Sequence, residues 1–231
     1  MSSHRKIALV TGVFFIITII PAPIAAFILY APVLNDPNYI VGAGADTSVS
    51  LGAFLEVLIA IAIIGTAVTL FPIVKRQNEG FALGYVAARV FESTVIVVGI
   101  ISLLSVVTLR QEAAAGADAG SLVAVGESLV AVHDWTFLIG PGLVPGVNGI
   151  LLGYLMYASR LVSRPLALLG LVGGPLLFAS GIAVLLGVIE AGSVWQGIST
   201  IPVAAFETVL GIWLIVKGFN PSAPLLTASA T

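Results

Sequence analysis

The chain has 231 residues, 59% of them hydrophobic and 9% charged, against about 25% charged in an ordinary soluble domain, so it cannot cover a water-facing surface. A net charge of −2 offers nucleic acid no basic face, and the absence of cysteine removes disulfides, thiol catalysis, cysteine-ligated metal and cysteine lipidation. Apolar runs of about eighteen residues or more recur, without the roughly ten-residue alternating segments of a membrane barrel, so the fold class is an all-α polytopic membrane helix bundle.

The first transmembrane helix is expected at about 7–31. The stretch "MSSHRKIALVTGVFFIITIIPAPIAAF" imitates a secretory signal, with a basic start, an apolar middle and small residues after it. Its apolar part continues through Tyr30, longer than a typical signal core, so it reads as an uncleaved span interrupted by Pro21 and Pro23. "LNDPNY" (34–39) reads as a turn, and Asp46, Thr47 and Ser48 offer N-caps for the second span at about 49–74. A calcium site built on Asp36 and Asp46 lacks any loop pattern and is not expected. Glu56 lies in the outer half of the second span.

The third span, about 81–108, carries Arg89 and Glu92 three residues apart and so on one helical face. "EAAAGADAG" (112–120) reads as a flexible connector. Leu122, Val125, Leu129 and Val132 then share a face. Joined to the fourth span they would make one helix of about 58 Å, too long for a single crossing. A short amphipathic helix on the outer surface is therefore expected at about 122–132, with a bend at His133–Asp134.

The fourth span, about 135–158, contains "GPGLVPGVNG" (140–149), where Pro141 and Pro145 free backbone carbonyls that hydrocarbon cannot satisfy. Discontinuous helices of this kind build midplane sites in many transporters, and Asn148 falls at that depth. The fifth span, about 165–188, holds Pro175, and the sixth, about 198–216, holds Pro202 and Glu207. Gly149 and Gly153, with Gly170 and Gly174, space small residues one turn apart, so the fourth and fifth spans are expected to pack as a hairpin. "AFLEVLIAI" from Ala53 and "AFETVLGIW" from Ala205 share a faint likeness that a duplication of helix pairs would explain. The whole forms a single integral membrane domain over 1–231.

Placing the N-terminus in the cytoplasm puts Arg5, Lys6, Lys75, Arg76, Arg160, Arg164 and Lys217 inside and Arg110 alone outside. That asymmetry predicts both termini cytoplasmic. Tyr30, Trp135 and Trp195 then read as outer aromatic anchors, and Tyr154, Tyr157 and Trp213 as inner ones.

Each ionisable residue at the centre of a span costs about 2.5–3.5 kcal/mol, so the interior charges must meet one another. Arg89 can offset Glu92 or Glu207, but one cation cannot neutralise three carboxylates. Glu56, Arg89, Glu92, Asn148 and Glu207 form the candidate ligand-binding or proton-binding cluster. Two readings stand: a centre that exchanges protons or holds a small ligand, or a clamp in which Arg89 bridges Glu92 and Glu207 and only fixes packing. His133 and Asp134 make an outer-boundary polar pair, with Asp134 read as the cap of the fourth span. No two histidines share a depth, which removes a bis-histidine haem; no metal and no other cofactor is expected. HExxH, Gly-x-Ser-x-Gly and Walker signatures are missing, so an enzyme is the least expected class.

Three long segments carry a family likeness: "VLNDPNYIVGAGADTSVSLGAFLEVLIAIAIIGTAVTLFPIVKRQNEGFALGYVAARVFES" (33–93), "LVAVHDWTFLIGPGLVPGVNGILLGYLMYASRLV" (129–162) and "GIWLIVKGF" (211–219). Together they resemble domain-of-unknown-function family 4386, a bacterial family of integral membrane proteins. The resemblance implies a six-span protein of the bacterial inner membrane and carries no catalytic residues over. The function expected is a small transporter, or a membrane-embedded protein that binds a small molecule or proton. The alternative is a non-catalytic module that binds or regulates a membrane partner. The lipid bilayer is the expected partner; a small-molecule ligand, a homo-oligomer and another membrane protein stay open.

Overall fold

The computed structural model describes residues 2–42 and 44–227. In chain order these form α1 (Ser3–Ile19), α2 (Pro21–Ile24), a π-helical turn (Ala25–Leu29), α3 (Ala31–Asn35), α4 (Asp46–Val74), α5 (Glu79–Ala114), α6 (Ala119–Ile139), α7 (Val144–Ser159), α8 (Arg164–Leu185), α9 (Val194–Val216) and α10 (Pro224–Thr227). Among the described residues, six helical runs are long and apolar enough to cross a membrane: Ser3–Leu29, Asp46–Val74, Glu79–Ala114, Ala119–Ser159, Arg164–Leu185 and Val194–Val216. Their outward faces carry Phe27, Phe54, Ile61, Leu83 and Ile101, all more than half exposed, as acyl chains rather than water would require.

Side-chain caps start several helices where the backbone N–H groups have no partner within the helix. Asn78 accepts from the Phe81 N–H at 3.0 Å, Ser2 from Arg5 at 3.3 Å and Asp118 from Ser121 at 3.4 Å. Pro21, lacking an N–H, stops α1 at Ile19. The chain then widens into the π turn, where the Tyr30 N–H reaches five residues back to the Ala25 carbonyl at 3.0 Å. This rotation turns Tyr30 fully into the interior. The outer-anchor role expected for Tyr30 is therefore not what it has.

Glycine decides how the spans pack. A methyl group on Gly174 would come within 2.6 Å of the Gly146 carbonyl oxygen, and one on Gly153 within 2.8 Å of the Leu171 nitrogen, so α7 and α8 run backbone against backbone as a hairpin. Gly12 of α1 and Gly211 of α9 make the same close approach. At this end the Arg5 guanidinium donates to the carbonyls of Leu214 at 2.7 Å, Ile215 at 2.5 Å and Val216 at 3.3 Å, covering the exposed C-terminus of α9 with positive charge. Arg5→Ala is expected to lower stability by about 1–2 kcal/mol. Thermal unfolding of the detergent-solubilised protein reads this; an unchanged midpoint would mean that the cap contributes nothing.

Three further expectations are corrected. Residues 122–132 are helical but do not form a separate surface helix, because they are continuous with the rest of α6. The partner that makes this possible is α5, whose 36 residues extend about 54 Å, well beyond the hydrocarbon thickness. Leu122, Val123, Leu129 and Val130 pack on its Leu103, Val106 and Val107, and Ser102 donates to the Leu129 carbonyl. The bend falls at 140–143, not at His133–Asp134, so Asp134 is mid-helix and caps nothing. Proline and glycine set that place: Gly140 and Gly142 donate to Thr136 and Phe137 at 2.8 and 2.9 Å, and Pro145 opens α7.

Candidate functional site

Tyr85 and Arg89 lie four residues apart on α5, and Glu92 and Ser93 follow Arg89 at three and four, so all four line one inward stripe. Arg89 is 1% exposed, among the largest side chains wholly enclosed by the bundle. Its Nη1 donates to Glu92 Oε2 at 3.1 Å, its Nη2 to Glu207 Oε1 on α9, and its Nε to the Tyr85 hydroxyl at 3.1 Å. Asn148, from the first turn of α7, donates to the same Glu92 oxygen at 2.7 Å. Phe15 of α1 presents its ring 5.8 Å from the guanidinium carbon, and Thr66 of α4 meets Tyr85 at 3.3 Å. Five helices thus converge on one cation.

Burial differs across the centre. Glu92 and Asn148 are enclosed, while the Glu207 side chain keeps 14% of its surface. The Asn148 carbonyl oxygen is buried with no hydrogen-bond partner, an acceptor held beside a carboxyl group. One guanidinium faces two carboxyls, so with both ionised the centre carries one net negative charge. A single added proton makes it neutral.

Glu56 does not join this centre. Its Oε2 accepts from the Tyr30 hydroxyl at 3.0 Å, and it lines a separate small cleft with Gly99, His133 and Thr136. His133 and Asp134 also part company: His133 is buried, edge-on to the Tyr30 ring with centroids 5.6 Å apart, while Asp134 is exposed. Of the candidate residues, then, Arg89, Glu92, Asn148 and Glu207 meet, and Glu56 and His133 share a second polar group. Tyr85 and Thr66 complete the first group without having been singled out in the sequence, and Tyr30, read there only as an anchor, completes the second. The i−4 spacing of Tyr85 from Arg89 was the available signal for one of them.

Near the second group's end of the bundle, Asp46 accepts from Tyr39 and from Arg110, both at 2.9 Å. Burial, with the Asp46 carboxyl beside it, holds the Tyr39 phenol well above its ordinary value. A cavity of about 240 Å³ opens there between α3, α5 and α6, lined by Leu34, Ile40, Val106 and Val123 with Asp36 and Glu127 beside them. Neither this cavity nor the Glu56 cleft is lined by Arg89, Glu92 or Glu207. Among the described residues no group of three or more His, Asp or Glu side chains could hold a metal ion.

No curated protein and no solved structure matches the chain. Residues 10–218 match the family described as Domain of unknown function (DUF4386), and the chain belongs to that family.

Proposed function

We propose that this is a multi-pass protein of the bacterial inner membrane, a single integral domain with both termini cytoplasmic, whose Arg89 centre binds a proton in the service of small-molecule transport. The observation that carries the reading is the sharing of one buried guanidinium between Glu92 and Glu207, with the Asn148 carbonyl oxygen left over. A structural pair needs one carboxyl per cation; a second leaves a charge deficit that one proton fills. The near-complete enclosure of Arg89 and Glu92 suits a proton better than an organic molecule. Arg89 supplies the compensating charge, Glu92 and Glu207 the proton acceptors, and the break at 140–143 the irregular wall that sets Asn148 in place. The direction of threading rests on the charge asymmetry of the loops.

The same tight enclosure favours a second reading, in which the charges only clamp α5, α7 and α9 together within a module that binds or regulates a membrane partner. Proton uptake on acidification, followed with a pH-sensitive dye on the detergent-solubilised protein, separates the two. The proposal expects Glu207→Gln and Glu92→Gln to remain folded and each to remove about one proton of uptake. Loss of folding in both variants, with no uptake by the wild type, would establish the clamp.

A further inference from the structure

Glu56 and His133 are 9% and 5% exposed, yet neither contributes to the Arg89 centre. Two glycines make room for them. A methyl group on Gly52 would come within 2.6 Å of the Tyr30 ring, and one on Gly99 within 2.6 Å of Thr136 Oγ1. Between Glu56, Gly99, His133, Thr136, Phe137 and Pro141 lies a cleft of about 10 Å³. That is on the scale of a single water, which needs two to four polar partners.

The partners are present. Glu56 spends one carboxyl oxygen on Tyr30 and keeps the other. Thr136 gives its hydroxyl proton to the His133 carbonyl at 2.7 Å and keeps its lone pairs. His133 Nδ1 is buried beside the Gly99 backbone and forms no hydrogen bond of ordinary geometry. The titratable groups that face Glu56 are Tyr30 from the π turn and His133 from α6, with Asp134 beside His133 along the same helix.

We propose that this cleft is a one-water site through which protons from the end of the bundle opposite the termini reach Glu56. The water bridges His133 Nδ1, Thr136 and Glu56. A proton taken up at Nδ1 passes to the water oxygen as the water gives one of its own to the free Glu56 oxygen. The N–H bond at His133 breaks, an O–H bond forms at Glu56, and one positive charge moves inward with the water restored. Glu56 stands four residues, about 6 Å along the helix, from Ala60, whose carbonyl accepts from Ser93 at 3.0 Å, and Ser93 adjoins Glu92. The site is thus the outward neighbour of the Arg89 centre, and only its role as a feeder of that centre rests on the function proposed above.

Stopped-flow acidification of the solubilised protein with a pH-sensitive dye tests it. The wild type is expected to take up a fast proton at Glu56 and a slower one at the Arg89 centre. Glu56→Gln should remove the fast proton, and Thr136→Val and His133→Phe should keep its extent but slow it about 100-fold. Thr136→Val changes least volume and guards against misfolding of the others. Wild-type fast uptake in Thr136→Val and His133→Phe alike, or its survival in Glu56→Gln, would overturn the one-water site. Failure of the function proposed for Arg89 shows separately, as a slow phase that Glu207→Gln does not change.

Discussion

Arg89→Met is expected to prevent the protein from accumulating in a folded state, the largest effect of any single substitution considered. The change removes the one cation shared by Glu92 and Glu207 and leaves two carboxyls facing each other across the α5–α9 contact, along with the Tyr85 hydroxyl that Arg89 now satisfies. Breaking a buried ion pair by removing one partner costs about 3–5 kcal/mol, and here two partners are orphaned. Stabilities of whole domains are about 5–15 kcal/mol, so the loss is a large share of what holds the bundle together. Arg89→Lys should rescue little, because a single ammonium cannot address Glu92, Glu207 and Tyr85 at once as the guanidinium fork does. The triple variant Arg89→Met, Glu92→Gln, Glu207→Gln should recover folded protein, since it removes the charges together and keeps the shape. Monodisperse elution from detergent-solubilised membranes reads all three. If Arg89→Met alone behaves as the wild type, the guanidinium is not what holds α5 to α9.

How far the sequence foretold this centre follows from the reach of each interaction. Arg89 and Glu92 are neighbours along one helix, so their pairing is fixed by the 3.6-residue period alone. Glu207 could be enlisted without knowing any packing, since an arginine inside hydrocarbon must find carboxylates and few exist. The six apolar runs, the glycine-lined hairpin of α7 and α8 and the break in the fourth span are legible for the same reason: length and residue type dictate them. Glu56 behaved differently. Its partner Tyr30 is turned inward by a π-helical turn after Pro21 and Pro23, and a one-residue widening of a helix leaves no periodic trace. Its likeness to Glu207, in the "AFLEVLIAI" and "AFETVLGIW" segments, carried no information about partners, because those belong to other helices. The continuity of α6 was hidden too, since the apolar strip at 122–132 fits a membrane surface as well as it fits an overlong α5.

Gly174→Val should be the second most damaging change, for a reason that involves no charge. The closest atoms to a side chain at Gly174 are backbone: the Gly146 carbonyl oxygen at 2.6 Å and the Ile150 nitrogen at 2.7 Å. A flexible side chain could turn away from an added methyl, but a helical backbone cannot, so α7 and α8 would have to separate. Overpacking a tight core costs about 1–3 kcal/mol, and here a β-branched residue would sit at the upper end. Separation also shifts Asn148, which sits in the first turn of α7 and reaches Glu92 from there, so proton uptake at the Arg89 centre should change together with stability. Gly197→Ala in α9 supplies the contrast: nothing lies within 4 Å of the added methyl, and alanine should raise stability by about 0.5–1 kcal/mol. Thermal unfolding midpoints of the two variants should therefore move in opposite directions, down for Gly174→Val and up for Gly197→Ala. Equal midpoints would show that contact between the α7 and α8 backbones does not set the bundle's stability, and that Asn148 is held at the centre by something other than this hairpin.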